Sequence, residues 1–223
     1  KLVISIIFCF FSVMVFSQIN TENIRRIIQD KKATVGVAVI YRDKAYTVSN
    51  NEKYPLMSTF KFHIGVTALK KMETNGISLD SMVYIEPHQM HKNTYSPIRD
   101  RFPDHRIHIS FREIIEYTIS HSDNNTCDWL IDFVGGINNV DKYIKSLGIK
   151  DLNLTETEDS MHKDIMRSYN NWSTPLSVAE LLKKVYTENV LSSEYFSFLE
   201  KTMLDCSSGK DKLIAGLPSD VRF

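Results

Sequence analysis

The sequence carries no excess of charge of either sign. Lys and Arg number 27 and Asp and Glu number 27, which excludes a nucleic-acid binder working through a basic surface and also excludes an acidic tail. Glycine and proline are scarce, at 8 and 6 residues, and 43% of the chain is hydrophobic. That combination excludes a disordered or low-complexity chain. Three cysteines are too few for a dense disulfide framework. No apolar run reaches the roughly 20 residues that a spanning helix needs. What remains is a soluble globular chain of 223 residues, long enough for one or two domains and a sizeable core.

The most apolar stretch is the first. Lys1 is followed by the apolar run 2–16 and then by Ser17. A basic residue, an apolar run and a small residue read as a secretory signal peptide, with cleavage expected after Ser17. The expectation is an exported protein, periplasmic or secreted by a bacterium, with no stable membrane anchor. Removal of 1–17 takes Lys1 and Cys9 away, so the mature chain keeps Cys127 and Cys206, expected as free thiols.

Beyond the leader, Ile19 to Lys32 has helical apolar spacing, and Thr34–Tyr41 with Lys44–Ser49 reads as a β-hairpin turning at Arg42-Asp43. Ser58 to Glu73 reads as a helix stopped by Asn75-Gly76. Residues 86–106 hold three prolines and read as a long loop. Ser110 with Glu113 makes a capping box for a helix to Ser120. Two helices, Asn124–Val134 and Ile137–Leu147, flank Gly135-Gly136. Lys150–Trp172 reads as an ordered polar loop. Thr174-Pro175 opens a helix to Glu188, and Glu194–Met203 is another. The mature chain therefore divides into 18–57, a helix and hairpin of an α/β part; 58–206, a mostly helical part; and 207–223, a return towards the first.

Chemistry concentrates at three points. Ser58-Thr59-Phe60-Lys61 sets a hydroxyl and an ammonium one turn apart on one helix face. The helix N-terminus favours negative charge developing on the Ser58 oxygen, and a desolvated Lys61 can serve as a base. Ser-x-x-Lys also occurs at Ser160 and Ser207, but only Ser58 leads into an apolar helix. Ser122-Asp123-Asn124 is rarer, expected by chance about 0.03 times in such a chain. Its bland reading is a helix cap; its chemical reading is a second hydroxyl, Ser122, and an amide, Asn124, facing a substrate. Glu158 lies in the polar loop, where a carboxylate can hold and deprotonate a water; alone it reads as part of a solvated acidic loop. His88-x-x-His91 reads as surface histidine rather than a metal site.

Taken together, the Ser-x-x-Lys at Ser58, the Ser-Asp-Asn at Ser122 and the loop Glu158, 34 residues beyond Asn124, resemble the class A serine β-lactamases. Tyr95-Ser96-Pro97 is similar to that family's aromatic lip, and Ala215-Gly216-Leu217-Pro218 to its approach to a third motif. Met161-His162 and Asn171-Trp172-Ser173-Thr174-Pro175 resemble the PER, VEB and CfxA-like branch, whose longer step between the first two motifs matches the 64 residues from Ser58 to Ser122.

The resemblance implies an α+β fold, an antiparallel sheet flanked by helices with an all-helical subdomain. It implies that Ser58, Lys61, Ser122 and Glu158 are catalytic, and that Asn124, Thr94, Tyr95 and His162 meet the substrate or its water. No cofactor and no metal are implied. The substrates implied are β-lactam antibiotics, cephalosporins and penicillins, acted on by a monomer. Its rivals are a penicillin-binding protein or D-alanyl-D-alanine peptidase, and a sensor domain that acylates without turnover; Glu158 discriminates against both.

The family's Lys-Thr-Gly strand is expected just beyond Phe223, with further strands and a last helix. Residues 18–223 alone are therefore expected to be inactive and poorly stable, the hairpin lacking its sheet neighbours. Cooperative thermal unfolding of 18–223 would overturn that expectation.

Overall fold

The computed structural model describes residues 19–103, 106–206, 209 and 214–218. The leader 1–17 and most of 207–223 lie outside the described residues. In chain order the elements are α1 (Thr21–Ile28), β1 (Val37–Tyr41), β2 (Lys44–Val48), β3 (Tyr54–Pro55), α2 (Phe60–Thr74), β4 (Met82–Ile85), α3 (Pro97–Arg101), β5 (Ile107–Ser110) and α4 (Phe111–Ile119). Then follow α5 (Asn124–Val134), α6 (Ile137–Ser146), β6 (Leu152–Asn153), α7 (Glu158–Lys163), β7 (Trp172–Ser173), α8 (Pro175–Thr187) and α9 (Ser193–Leu204).

The helix α2 sits at the centre. Its buried residues run around the whole cylinder, Phe60, Ile64, Val66, Ala68, Leu69 and Met72 among them. A helix apolar on all sides belongs inside, and α4, α5, α6 and α9 all pack on this one. The capping box read in the sequence at Ser110 is formed. Ser110 Oγ accepts from Glu113 N at 3.2 Å, and Glu113 Oε2 accepts from Ser110 N at 3.2 Å. On α5 the cap is Asp123, and Gly135 ends the helix at φ 92°, in the left-handed region where glycine is favoured. Thr174 caps α8, with Pro175 at its first position.

Sheets are small and antiparallel. β1 pairs with β2 in the register Val37 to Val48 and Tyr41 to Lys44, around a turn in which Arg42 and Asp43 both have positive φ. Two further pairings involve short strands that the sequence reading does not single out. β4 joins β5, from Met82 opposite Ser110 to Ile85 opposite Ile107, and β7 lies between β3 and β6. The prolines of 86–106 are accommodated between β4 and β5 rather than inside them, at the start of a 3-10 turn (Pro87) and of α3 (Pro97). The segment 150–172 likewise contains α7 and a 3-10 turn, Ile165–Asn170. Cys127 is buried, and both it and Cys206 are thiols.

The three-stranded sheet positions the site, because β3 leads directly into Ser58 and β7 closes the segment that carries Glu158. Leu56 N donates to Asn171 O at 2.8 Å, tying the two together. Gly36 fixes how the hairpin seats on this sheet. A Cβ there would stand 2.5 Å from Tyr54 Cζ and 2.6 Å from Pro175 Cγ, a ring and a proline that have little room to yield. Gly36→Ala should therefore lower stability by about 2 kcal/mol, the usual cost of overpacking, measured as a shift of the thermal midpoint; an unshifted midpoint would mean the hairpin is not held against Tyr54.

Candidate active site

Ser58 stands in the 3-10 turn Met57–Thr59 at the head of α2 and is exposed. Met57, immediately before it, has φ 46°, and Ser122 has φ 55°. Non-glycine residues in this region are strained and persist where their surroundings over-determine them, often at functional sites. Lys61, one turn along, is only 3% exposed. A buried ammonium has to be surrounded by acceptors, and this one is. Nζ donates to Ser122 O at 2.8 Å, to Ser122 Oγ at 3.1 Å and to Asn124 Oδ1 at 2.6 Å. Glu158 Oε1 lies 2.8 Å away as an ion pair, off the line of a hydrogen bond. Oε1 is buried and has no hydrogen-bond partner among the described residues, so it keeps acceptor capacity for a small polar molecule.

Ser58 lies where two cavities meet. A smaller one of about 160 Å³ is lined by Ser58, Asn124, Glu158 and His162, with Met57 and Met161. A larger one of about 540 Å³ is lined by Ser58, Lys61 and Ser122 together with the apolar side chains of Val178, Leu182 and Met203. Thr94 joins the constellation through its Oγ1, which accepts from Asn124 Nδ2 at 2.7 Å. Tyr95 is 62% exposed at the rim, and its carbonyl accepts from Asn124 N at 3.1 Å. Six of the eight residues singled out from the sequence thus line these two cavities, and Thr94 and Tyr95 join them through hydrogen bonds with Asn124. The Ser160 motif is elsewhere: Ser160 Oγ donates to Glu156 Oε2 at 2.6 Å and serves the loop's own fold. His91 Nδ1 faces Asp159 Oδ1 at 3.4 Å.

Two carboxylates that the sequence reading gave no chemical part hold the frame. Asp123 is fully buried and accepts from Ser96 Oγ, Ile98 N and Thr126 N at 2.9 Å each, so the helix-cap reading is true and the same side chain pins the 96–98 segment. Asp128, one turn beyond Asn124 on α5, accepts from Glu158 N at 2.7 Å and Asp159 N at 2.8 Å. It caps α7 from outside and sets where Glu158 stands. Its spacing of four from Asn124 was the available signal, since residues i and i+4 share a helix face.

Comparison with known proteins agrees with this geometry. The family model described as the β-lactamase enzyme family matches residues 20–223. The chain belongs to that family. A β-lactamase of Bacteroides uniformis is 44% identical over 201 residues, covering 89% of this chain and 68% of that protein. The extended-spectrum β-lactamase PER-1 of Pseudomonas aeruginosa is 33% identical over 205 residues, covering 91% and 67%. The crystal structure of a class A β-lactamase from Bacteroides cellulosilyticus superposes with a TM-score of 0.87 at 48% identity, over 90% of this chain and 72% of that one. The α+β fold and the class A membership read from the motifs are therefore correct, and class A β-lactamases are serine hydrolases.

Burial, reinforced by the charges of Glu158 and Asp159, pushes the Asp128 carboxyl up to about 7 against the two N–H groups that favour its ionised form. An acid raised in the folded state holds a proton that the unfolded chain releases, so the contribution of Asp128 to stability falls as pH climbs from the ordinary carboxylate range to about 7. Asp128→Asn should flatten that part of the curve of thermal midpoint against pH. It also leaves one of the two α7 N–H groups facing an amide NH2, so turnover should fall; an unchanged pH slope would remove Asp128 from this account.

Proposed function

We propose that this β-lactamase hydrolyses its substrates through an acyl-enzyme on Ser58. The observation that carries the assignment is the convergence of three motifs, far apart in sequence, on one buried ammonium: Ser122 Oγ, Asn124 Oδ1 and Glu158 Oε1 all lie within 3.1 Å of Lys61 Nζ. In the proposed sequence the Ser58 hydroxyl attacks the lactam carbonyl, and the developing oxyanion meets the Ser58 N–H at the head of α2. The three hydrogen bonds donated by Lys61 Nζ use all three ammonium protons, an arrangement that favours Glu158, through a water, as the group that takes the Ser58 proton. The carbon–nitrogen bond then breaks. Ser122 Oγ gives its proton to the leaving nitrogen and is re-supplied from Lys61 Nζ, 3.1 Å away; Glu158 Oε1 then passes the proton it took from Ser58 to Lys61 Nζ, 2.8 Å away, which restores the carboxylate and the ammonium before the ester is hydrolysed.

Deacylation returns to Glu158. Its unpartnered Oε1 takes a proton from a water, the hydroxide attacks the ester, and Ser58 regains its proton on release, so one water is consumed per lactam opened. His162, on the same cavity wall, helps hold that water or the loop around it. Asn124 orients the amide of the substrate's acyl side chain, and Thr94 and Tyr95 shape the rim. The likeness to PER-1, an extended-spectrum enzyme by name, supports cephalosporins beside penicillins as substrates. The leader read in residues 1–17 supports export, and action outside the cytoplasm would give the host resistance to these antibiotics.

Glu158→Ala should slow acylation and slow hydrolysis of the ester far more, lowering turnover by a factor on the order of 10³, the usual weight of a positioned general base. An intact-mass measurement after brief exposure to benzylpenicillin checks this: the variant should keep a penicilloyl adduct while the parent returns to its unmodified mass. A parent adduct that persists would instead mark a penicillin-binding protein or sensor.

A further inference from the structure

Arg99 lies outside the constellation described above, yet its guanidinium is spent on that site's rim. The two N–H groups of Nη1 are shared among three backbone carbonyls, His91 O at 2.9 Å, Lys92 O at 2.8 Å and Thr94 O at 2.7 Å. Nε and Nη2 are anchored on Asp100 Oδ1 at 3.1 and 2.7 Å. The side chain is 18% exposed, so this charge sits mostly under the loop rather than in water. Three carbonyls gathered on one nitrogen define the path of residues 91–94, which have no ladder or helix of their own to define it. The loop's two ends are held separately, His91 by Asn125 through N–H to Oδ1 at 2.8 Å and O to Nδ2 at 3.2 Å, and Tyr95 by the Asn124 N–H. Between them, the carbonyls of Lys92 and Thr94 have only Arg99 as hydrogen-bond partner among the described residues.

The chain of contacts continues into the site. Thr94 Oγ1 takes one proton of the Asn124 amide at 2.7 Å, while Asn124 Oδ1 takes one from Lys61 at 2.6 Å. A side-chain amide has two N–H donors and one carbonyl. With the carbonyl turned to the ammonium and one N–H turned to Thr94, the second N–H is left for a ligand acceptor. If Thr94 moves away, Asn124 loses the bond that fixes the plane of its amide, although Lys61 still selects which end faces it.

We propose that Arg99 is a positioning residue for substrate selection: by folding the 91–94 loop it places Thr94 so that Asn124 presents its free N–H to the acyl carbonyl of a β-lactam side chain. This rests on the assignment of Asn124 to that amide. Its chemical consequence is selective. Substrates carrying an acyl amide benefit from Arg99, and a penicillin nucleus with a free amine in place of that amide does not. The ester-hydrolysis step, which belongs to Glu158, is unaffected.

The test compares kcat/KM for benzylpenicillin with that for the free-amine nucleus in the native gene product. In Arg99→Met, which keeps the length and removes the donors, the ratio should fall about tenfold, the weight of one charge-assisted hydrogen-bond arrangement. Arg99→Lys keeps a nitrogen with three protons and should restore at least half of that loss on a logarithmic scale. Equal loss on both substrates, or an unchanged ratio in Arg99→Met, would overturn the proposal, the first because it marks a merely structural residue. Asn124→Ala separates the two layers. A ratio unchanged in that variant strikes the assignment of Asn124 itself, whereas a fall there with none in Arg99→Met strikes Arg99 alone.

Discussion

The structure turns on the desolvation of one ammonium group. Lys61 is on a helix that is apolar on nearly every side, and α2 can be central only if that charge is matched inside the protein. The match comes from three directions. The turn before α5 supplies Ser122 O and Oγ, the first residue of α5 supplies Asn124 Oδ1, and α7 supplies Glu158. Removing any of them leaves a buried charge short of a partner, so the groups that hold the fold around α2 are the same groups that the proposed chemistry uses.

The partners are themselves held by buried polar groups. Asp123 is a helix cap that also grips the segment 96–98, and Asp128 fastens α7 to α5. Asn171, fully buried, accepts from Thr155 N and Glu156 N at 2.9 Å each and donates to Glu156 O at 2.9 Å. It closes the segment that carries Glu158, while its own carbonyl takes the Leu56 N–H two residues before Ser58. Nucleophile and loop carboxylate are thus registered against each other by backbone hydrogen bonds, which tolerate less drift than long side chains on a surface would. The strain at Met57 and Ser122 is consistent with a frame built this way, since positive φ at a methionine needs neighbours that leave no alternative.

What the sequence disclosed depended on the length scale of the signal. The long helices were legible because their periodicity or caps extend over several turns: α2 from its apolar run, α4 from Ser110 and Glu113, α8 from Thr174-Pro175. The motif residues were legible because Ser-x-x-Lys and Ser-Asp-Asn are local. The pairing of β4 with β5 was hidden because each strand has four residues and the prolines between them argue for loop. α7 was hidden because six residues in a polar stretch carry no periodicity worth the name; Thr157 and Ser160 form a local box at its start, but the acceptors that place Glu158 N and Asp159 N come from Asp128, thirty positions earlier in the chain. Contacts of that kind are properties of the fold, and a single sequence does not display them.

The division of labour between the two walls of the site follows from this. Ser58, Lys61 and Ser122 line a cavity that Val178, Leu182 and Met203 also line. Glu158, Asn124 and His162 face the smaller and more polar cavity. In the proposed mechanism acyl transfer wants a dry environment in which the oxyanion formed at the Ser58 N–H and the Lys61 charge act at full strength, whereas ester hydrolysis wants a place for one water beside a carboxylate oxygen with no hydrogen-bond donor of its own. Glu158 Oε1 meets the second need while its ion pair with Lys61 keeps it beside the first. In the proposed mechanism a single ion pair between Lys61 and Glu158 therefore lets the acylating and hydrolysing steps share one serine, and a loop that lost its grip on Asp128 would uncouple them by moving the carboxylate, leaving Ser58 and Lys61 where they are.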